Sequence, residues 1–183
     1  MLGQEVGWTG IGVPGRKKPL YYQLNNAQRP DLPSVRVLGH YEATCGGCDN
    51  IGSAASVYDL IHTIYSLPPR HGGLGLGCHI LCEGLLLSED TKWTKSLDVP
   101  TNIIFLTTPV ETCLERVRGR RKEAGNEKEL NPANTTNRVA VIERARLKLV
   151  DLDPRRVVCR RASSEQAPGI ILQWLGCTPT KGN

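Results

Sequence analysis

The chain has 183 residues, with 23 Lys and Arg against 18 Asp and Glu, a formal charge of +5 with neutral histidines. Hydrophobic residues make up 39% and charged residues 22%, proportions that exclude wholesale disorder and a coiled coil and predict a packed core in one domain. No apolar run approaches the roughly 20 residues that cross a bilayer, and Met1 is followed by Leu2-Gly3-Gln4-Glu5 rather than by a basic and then an apolar segment, so no membrane partner and no export are expected. Seven cysteines, an odd number in a chain without an export signal, point to reduced thiols and a cytoplasmic protein. The basic balance, with a pI near 8.9, suits anionic ligands such as nucleotides or nucleic acid.

Residues 1 to 34, rich in glycine and proline with little apolar periodicity, read as an irregular arm. The run Val35 to Gly39 predicts a strand, and the polar stretch His40 to Gly52 a functional loop after it. Val57, Leu60, Ile61 and Ile64 then fall at i, i+3, i+4 and i+7 behind Ser53, which predicts a capped amphipathic helix ending before Pro68-Pro69. A glycine-rich connector from Arg70 to Gly77 leads to His79 to Leu87, read as a strand buried on both faces. Asn102 to Leu106 predicts another such strand. Pro109 opens a helix whose one face carries Val110, Cys113, Leu114 and Val117. A helix over 137 to 150, a short strand over 156 to 159 and a helix over 169 to 175 complete the pattern, with 177 to 183 a tail. Such alternation is that of an α/β protein with a mainly parallel sheet.

Three groups of residues could carry chemistry. Glu83 sits where an apolar strand meets Gly84, and ligands of open α/β sheets bind beyond the carboxyl ends of the strands, so its carboxylate could serve a metal-bound phosphate or a water. A carboxylate held by backbone donors, with no ligand, is the alternative. The Pro109 helix runs into Arg116, Arg118, Arg120 and Arg121. Arg116 and Arg120 share a face, Arg121 is turned by about 140° from Arg116, and Arg118 lies nearly opposite. Guanidinium forks so placed could neutralise a transferring phosphoryl group, or simply form a solvated basic face beside Glu111, Glu115 and Glu123.

The third group is the loop His40-Tyr41-Glu42-Ala43-Thr44-Cys45-Gly46-Gly47-Cys48-Asp49. Its two glycines permit a tight turn with exposed backbone amides, and Asp49 or Glu42 could accept the proton of a substrate hydroxyl. Zinc is the competing reading, since Cys45 and Cys48 have ligand spacing and Cys78 and Cys82 could complete four thiolates. No G-x-x-x-x-G-K-[ST] phosphate loop occurs. Gly10 to Lys17 has the glycine spacing, but places Arg16 and Lys17 where Lys and Ser/Thr belong and has Pro19 close behind, so it reads as a turn.

Ile104-Phe105-Leu106-Thr107-Thr108-Pro109-Val110-Glu111-Thr112-Cys113-Leu114-Glu115-Arg116, followed by Arg120-Arg121, resembles the fourth strand and arginine-bearing lid helix of P-loop nucleoside, nucleotide and polynucleotide kinases. His79 to Gly84 resembles their Walker B strand. Val37-Leu38-Gly39-His40-Tyr41, Cys45 to Asp49, Glu83 to Leu86 and Leu130-Asn131-Pro132-Ala133-Asn134-Thr135 are similar to phage-type members of that group, which includes kinases of 5-hydroxymethyl pyrimidines in DNA.

The resemblance implies a three-layer, mainly parallel α/β domain over 35 to 176, with a lid over 115 to 137. It further implies ATP-dependent phosphoryl transfer with Mg²⁺ to a hydroxyl of a nucleoside, nucleotide or modified DNA base. On it, Glu83 serves the metal, and Arg116, Arg120 and Arg121 serve the ATP phosphates, the last two also in the transfer itself. Asp49 meets the acceptor hydroxyl, within a substrate site of His40, Tyr41, Glu42, Gly46, Gly47 and Asp49. The first strand and Walker A loop of such kinases are missing from these residues, so the expectation is a reading frame that starts further upstream, an inactive remnant that still binds nucleotide or nucleic acid, or a gap in the sheet partly filled by Gln4 to Val13. A zinc-stabilised interaction module is a separate expectation.

Overall fold

The computed structural model describes residues 8–24, 33–41, 46–66, 78–89, 91–92, 97, 99–126 and 128–176. Length alone predicts one domain, but the chain divides into two compact units, residues 1–87 and 88–183. The class is α/β, but the larger sheet is mixed rather than mainly parallel, and the smaller is a parallel pair. No helix among the described residues is long and apolar enough to cross a membrane.

The first unit is built on a four-stranded sheet in the order β1-β2-β3-β4, comprising β1 (Trp8–Ile11), β2 (Tyr21–Leu24), β3 (Ser34–Leu38) and β4 (Cys78–Leu81). The pairs β1–β2 and β2–β3 are antiparallel and β3–β4 is parallel, with Val35 opposite His79 and Val37 opposite Leu81. The arm expected to be irregular therefore contributes two strands. Trp8-Thr9-Gly10-Ile11 and Tyr21-Tyr22-Gln23-Leu24 hold aromatic and β-branched residues suited to a pleated surface. The turn expected at Gly10 to Lys17 is present: Arg16 N donates to Val13 O at 3.1 Å across Pro14-Gly15.

Helix α1 (Ala54–Ser66) follows β3 after a 3-10 turn at Gly47–Asn50. Ser53 caps it, its Oγ accepting from Ser56 N at 3.1 Å. Val57, Ile61 and Ile64 are buried with Leu38 and Cys48 in the core of this unit. Arg36 is only 1% exposed and donates from Nη1 to Ile64 O at 2.8 Å, tying α1 to the middle of β3. The strand read over His79 to Leu87 is shorter: β4 ends at Leu81, and Leu85–Ser88 forms a single helical turn, α2.

The second unit holds a parallel pair, β5 (Thr101–Leu106) and β6 (Val157–Ala162), in register from Thr101 opposite Val157 to Leu106 opposite Ala162. Between them run α3 (Val110–Glu123) and α4 (Pro132–Val150), and α5 (Ala167–Trp174) follows. Phe105, Ala145, Leu149, Val157 and Ala162 are buried here. Helix α4 starts five residues before the expected position because Asn131 caps it, its side chain accepting from Ala133 N, and Pro132 sits in its first turn.

Candidate functional site

The loop after β3 is shaped by a backbone contact that no side chain could share. Gly39 has a φ of +84°, and a Cβ on it would lie 1.9 Å from Gly47 O. The returning strand of the loop thus occupies the space a side chain would need. Gly47 N donates to His40 O at 3.2 Å and Asn50 Nδ2 to the same oxygen at 3.4 Å, which closes the loop on itself. Glu42 and Cys45, both expected to take part, lie outside the described residues.

The closed loop is bound to the exit of β4. Cys48 N donates to Glu83 O at 2.7 Å, and a Cβ on Gly47 would meet that oxygen at 2.6 Å. The carboxylate of Asp49 accepts from Leu85 N at 3.2 Å and from Leu86 N at 2.9 Å, while Gly84 packs so close that a Cβ there would be 2.8 Å from Asp49 Oδ1. Asp49, expected to meet an acceptor hydroxyl, has an acceptor site on each oxygen taken by backbone donors of its own fold. The geometry gives it a holding role that its sequence position did not show.

Glu83 ends at the carboxyl side of β4, as expected, and its side chain is exposed. It neighbours the phenol of Tyr41, which is 44% exposed and stands 6.2 Å, centroid to centroid, from the ring of Tyr22. Burial of the hydroxyl and then the negative charge of Glu83 push the Tyr41 phenol well above the ordinary tyrosine range, with a hydrogen bond to Glu83 acting in the same direction. The phenol stays protonated and able to donate. His40 is 7% exposed, and its Nδ1 is buried without a hydrogen-bond partner among the described residues. The structure therefore brings together His40, Tyr41, Gly46, Gly47, Asp49 and Glu83. Tyr22 is the member the sequence reading missed; its only signal was an aromatic pair in a stretch read as irregular.

A single exposed carboxylate of this kind suits Mg²⁺, which takes oxygen ligands and is held by one or two carboxylates while keeping several waters. The cysteines suit zinc less well. Cys48 and Cys82 face one another, and the hydrogen bond between them, with burial, raises the Cys82 thiol well above its usual range, so it stays protonated. Cys78 Sγ instead accepts from Arg36 Nη1 at 3.7 Å. Among the described residues no three His, Cys, Asp or Glu side chains converge as a metal group would require.

In the second unit, all four arginines of the cluster lie on α3, which buries none of its residues. Val110, Cys113, Leu114 and Val117 form the half-buried stripe that periodicity predicts, and Arg116 and Arg120 are exposed on another face. Arg116 lies near Glu165, whose carboxyl is held down to about 2 by Ser163, by its own backbone, by Ser164 and, to a smaller degree, by Arg116. Arg121 is turned away from this pair. Its Nη1 donates to Lys128 O at 2.9 Å and Glu129 O at 3.2 Å, clamping the loop that follows the helix.

No family model matches the chain, and no solved structure matches it. Among curated proteins it is similar to the 5-hmdU DNA kinase of Pseudomonas phage PaMx11, with 35% identity over 129 residues covering 68% of this chain. The matched region spans 62% of that relative's length. By this likeness the chain is related to a phage DNA kinase.

Proposed function

We propose that the chain carries the acceptor site and arginine face of an ATP-dependent kinase of the P-loop type, which transfers the γ-phosphoryl group to the hydroxyl of a 5-hydroxymethyl pyrimidine in DNA. The observation that carries this reading is the likeness to a phage 5-hmdU DNA kinase. The glycine-locked loop and the exposed Glu83 supply the matching chemistry.

Glu83 is the residue placed to hold Mg²⁺ or its water, and Mg²⁺ when bound supplies charge neutralisation at the phosphates. Tyr41, whose protonated phenol is hydrogen-bonded to Glu83 and whose ring lies near Tyr22, orients that carboxylate and offers an aromatic surface to a base. Asp49 is a positioning residue that holds the loop, and Arg116 and Arg120 are the exposed cations available to the nucleotide phosphates. Arg121 acts through the loop it clamps.

Transfer of γ-phosphoryl label from ATP to DNA containing 5-hydroxymethyl pyrimidines tests the reading. It is measured for this chain and for the same chain extended upstream in its reading frame, because a phosphate loop is absent from these residues. Labelled DNA from the extended protein, with turnover reduced about a hundredfold or more by Glu83→Gln at little change in ATP affinity, is the expected result. Failure of both proteins to label DNA would overturn it.

A further inference from the structure

The expected phosphate-binding role of the arginine cluster leaves the opposite side of α3 unexplained. Arg118, Arg121, Lys122 and Gly125 stand at i, i+3, i+4 and i+7, one stripe of the helix. They form one wall of a hollow of about 460 Å³, whose other side is Lys128, Glu129, Leu130 and Pro132 at the entry to α4. The helix end that shapes it is a Schellman motif: Asn126 N donates to Arg121 O at 2.8 Å and Gly125 N to Lys122 O at 3.1 Å, with Gly125 at a φ of +64°. The Arg121 guanidinium then fixes Lys128 and Glu129 against the helix. The hollow is a held shape with cations on both sides.

Its charge is one-sided. Four cations line it against one carboxylate, Glu129, among the described residues, and none of the four makes an ion pair among those residues. Helix α4 adds the positive end of its dipole, with no acidic residue in its first turn. Among the described lining residues there is no aromatic ring to stack a base, and Leu130 and Pro132 supply the apolar contact a sugar accepts. Such a lining recognises phosphate and sugar without regard to sequence.

We infer that this hollow binds the sugar-phosphate backbone of the DNA substrate, apart from the face of Arg116 and Arg120 that the nucleotide phosphates would use. The inference rests on the DNA-kinase reading for its ligand and adds the site. Arg118, Lys122 and Lys128 are the contacting residues; Arg121 positions the loop.

Binding of a fluorescein-labelled 30-base-pair duplex is measured by anisotropy from 50 to 200 mM NaCl, for the chain and for the triple variant Arg118→Ala, Lys122→Ala, Lys128→Ala. Each phosphate neutralised contributes about 0.9 to the slope of log affinity against log salt, so the variant's slope is expected to be shallower by about 2.7. Between the two salt concentrations the affinity ratio of chain to variant then shrinks about 40-fold. Charge-retaining exchanges, Arg118→Lys with Lys122→Arg and Lys128→Arg, restore the steep slope. Equal slopes for chain and alanine variant, no duplex binding by the chain at 50 mM, or displacement of the duplex by ATP in direct competition would each overturn the inference. Failure of the kinase reading looks different: no label reaches DNA, while the difference in salt slope persists.

Discussion

The loop over residues 39–50 and the helix pair α3–α4 are built on opposite plans. In the loop, backbone meets backbone, with Gly39 against Gly47 and Gly47 against Glu83 closer than any side chain allows, while Gly84 lies close against the Asp49 carboxylate. Along α3 no residue is buried, and its chemistry projects outward as guanidinium and ammonium groups on two faces. The first plan holds a few atoms in one arrangement, as an acceptor site requires. The second presents exposed charge of the kind that suits a polyanion, where long-range attraction adds to fit. The difference teaches that glycine has unlike roles in the two regions: at 39 it makes room, and at 125 it only turns the chain.

Substituting those two glycines separates the plans most sharply. Gly39→Ala combines a left-handed conformation with a 1.9 Å collision against Gly47 O, and is expected to destabilise the first unit by about 3 kcal/mol or more. Gly125→Ala meets nothing within 4 Å and is expected to cost about 1 kcal/mol for its conformation alone. Urea unfolding of the two variants measures both, and equal losses would erase the contrast between the loop and the helix end.

Asp49→Ala removes both acceptors of Leu85 N and Leu86 N, a cap on an exposed turn, with an expected loss of about 1–2 kcal/mol. Asp49→Asn keeps one side-chain oxygen and is expected to lose less. If transfer activity fell to background in Asp49→Asn with stability nearly intact, Asp49 would act on the acceptor and not only on the loop.

The smallest effect belongs to the exposed region. Glu165 is held to about 2, below the ordinary carboxylate value, first by Ser163. Because the folded value is the lower one, this contribution to stability is complete above the ordinary carboxylate value and is lost as the pH falls from there through about 2. Ser163→Ala is expected to raise the midpoint of the Glu165 side-chain NMR titration toward the ordinary value. No movement would show that another group sets it.

Much of the second unit was legible because its signals are local. Pro109 before a 3.6-residue apolar repeat marks α3, and Asn131-Pro132 carries the true start of α4, although the apolar repeat drew attention to a later one. The first unit was legible in part. Ser53 and the repeat at Val57, Leu60, Ile61 and Ile64 locate α1, whereas β1 and β2 were hidden among glycines and prolines. The place of β2 is set by its pairing with β3, and that of β1 by its pairing with β2, rather than by their own pattern. Of the site, Glu83 and the glycine loop could be singled out by residue type. The holding role of Asp49, the clamp made by Arg121 and the place of Tyr22 beside Tyr41 could not.

By itself, the sequence determined the α/β alternation, the helix starts, the basic excess and the residues able to do chemistry, since each depends on neighbours within one or two turns or one strand. Only the tertiary structure decided that Gly47 fills the space beside Gly39, that the Asp49 carboxylate is engaged by Leu85 and Leu86, and that α3 and α4 enclose a basic hollow. Those contacts join residues from 7 to 37 positions apart whose approach is fixed by packing and backbone hydrogen bonds, and no spacing along the chain encodes such a meeting.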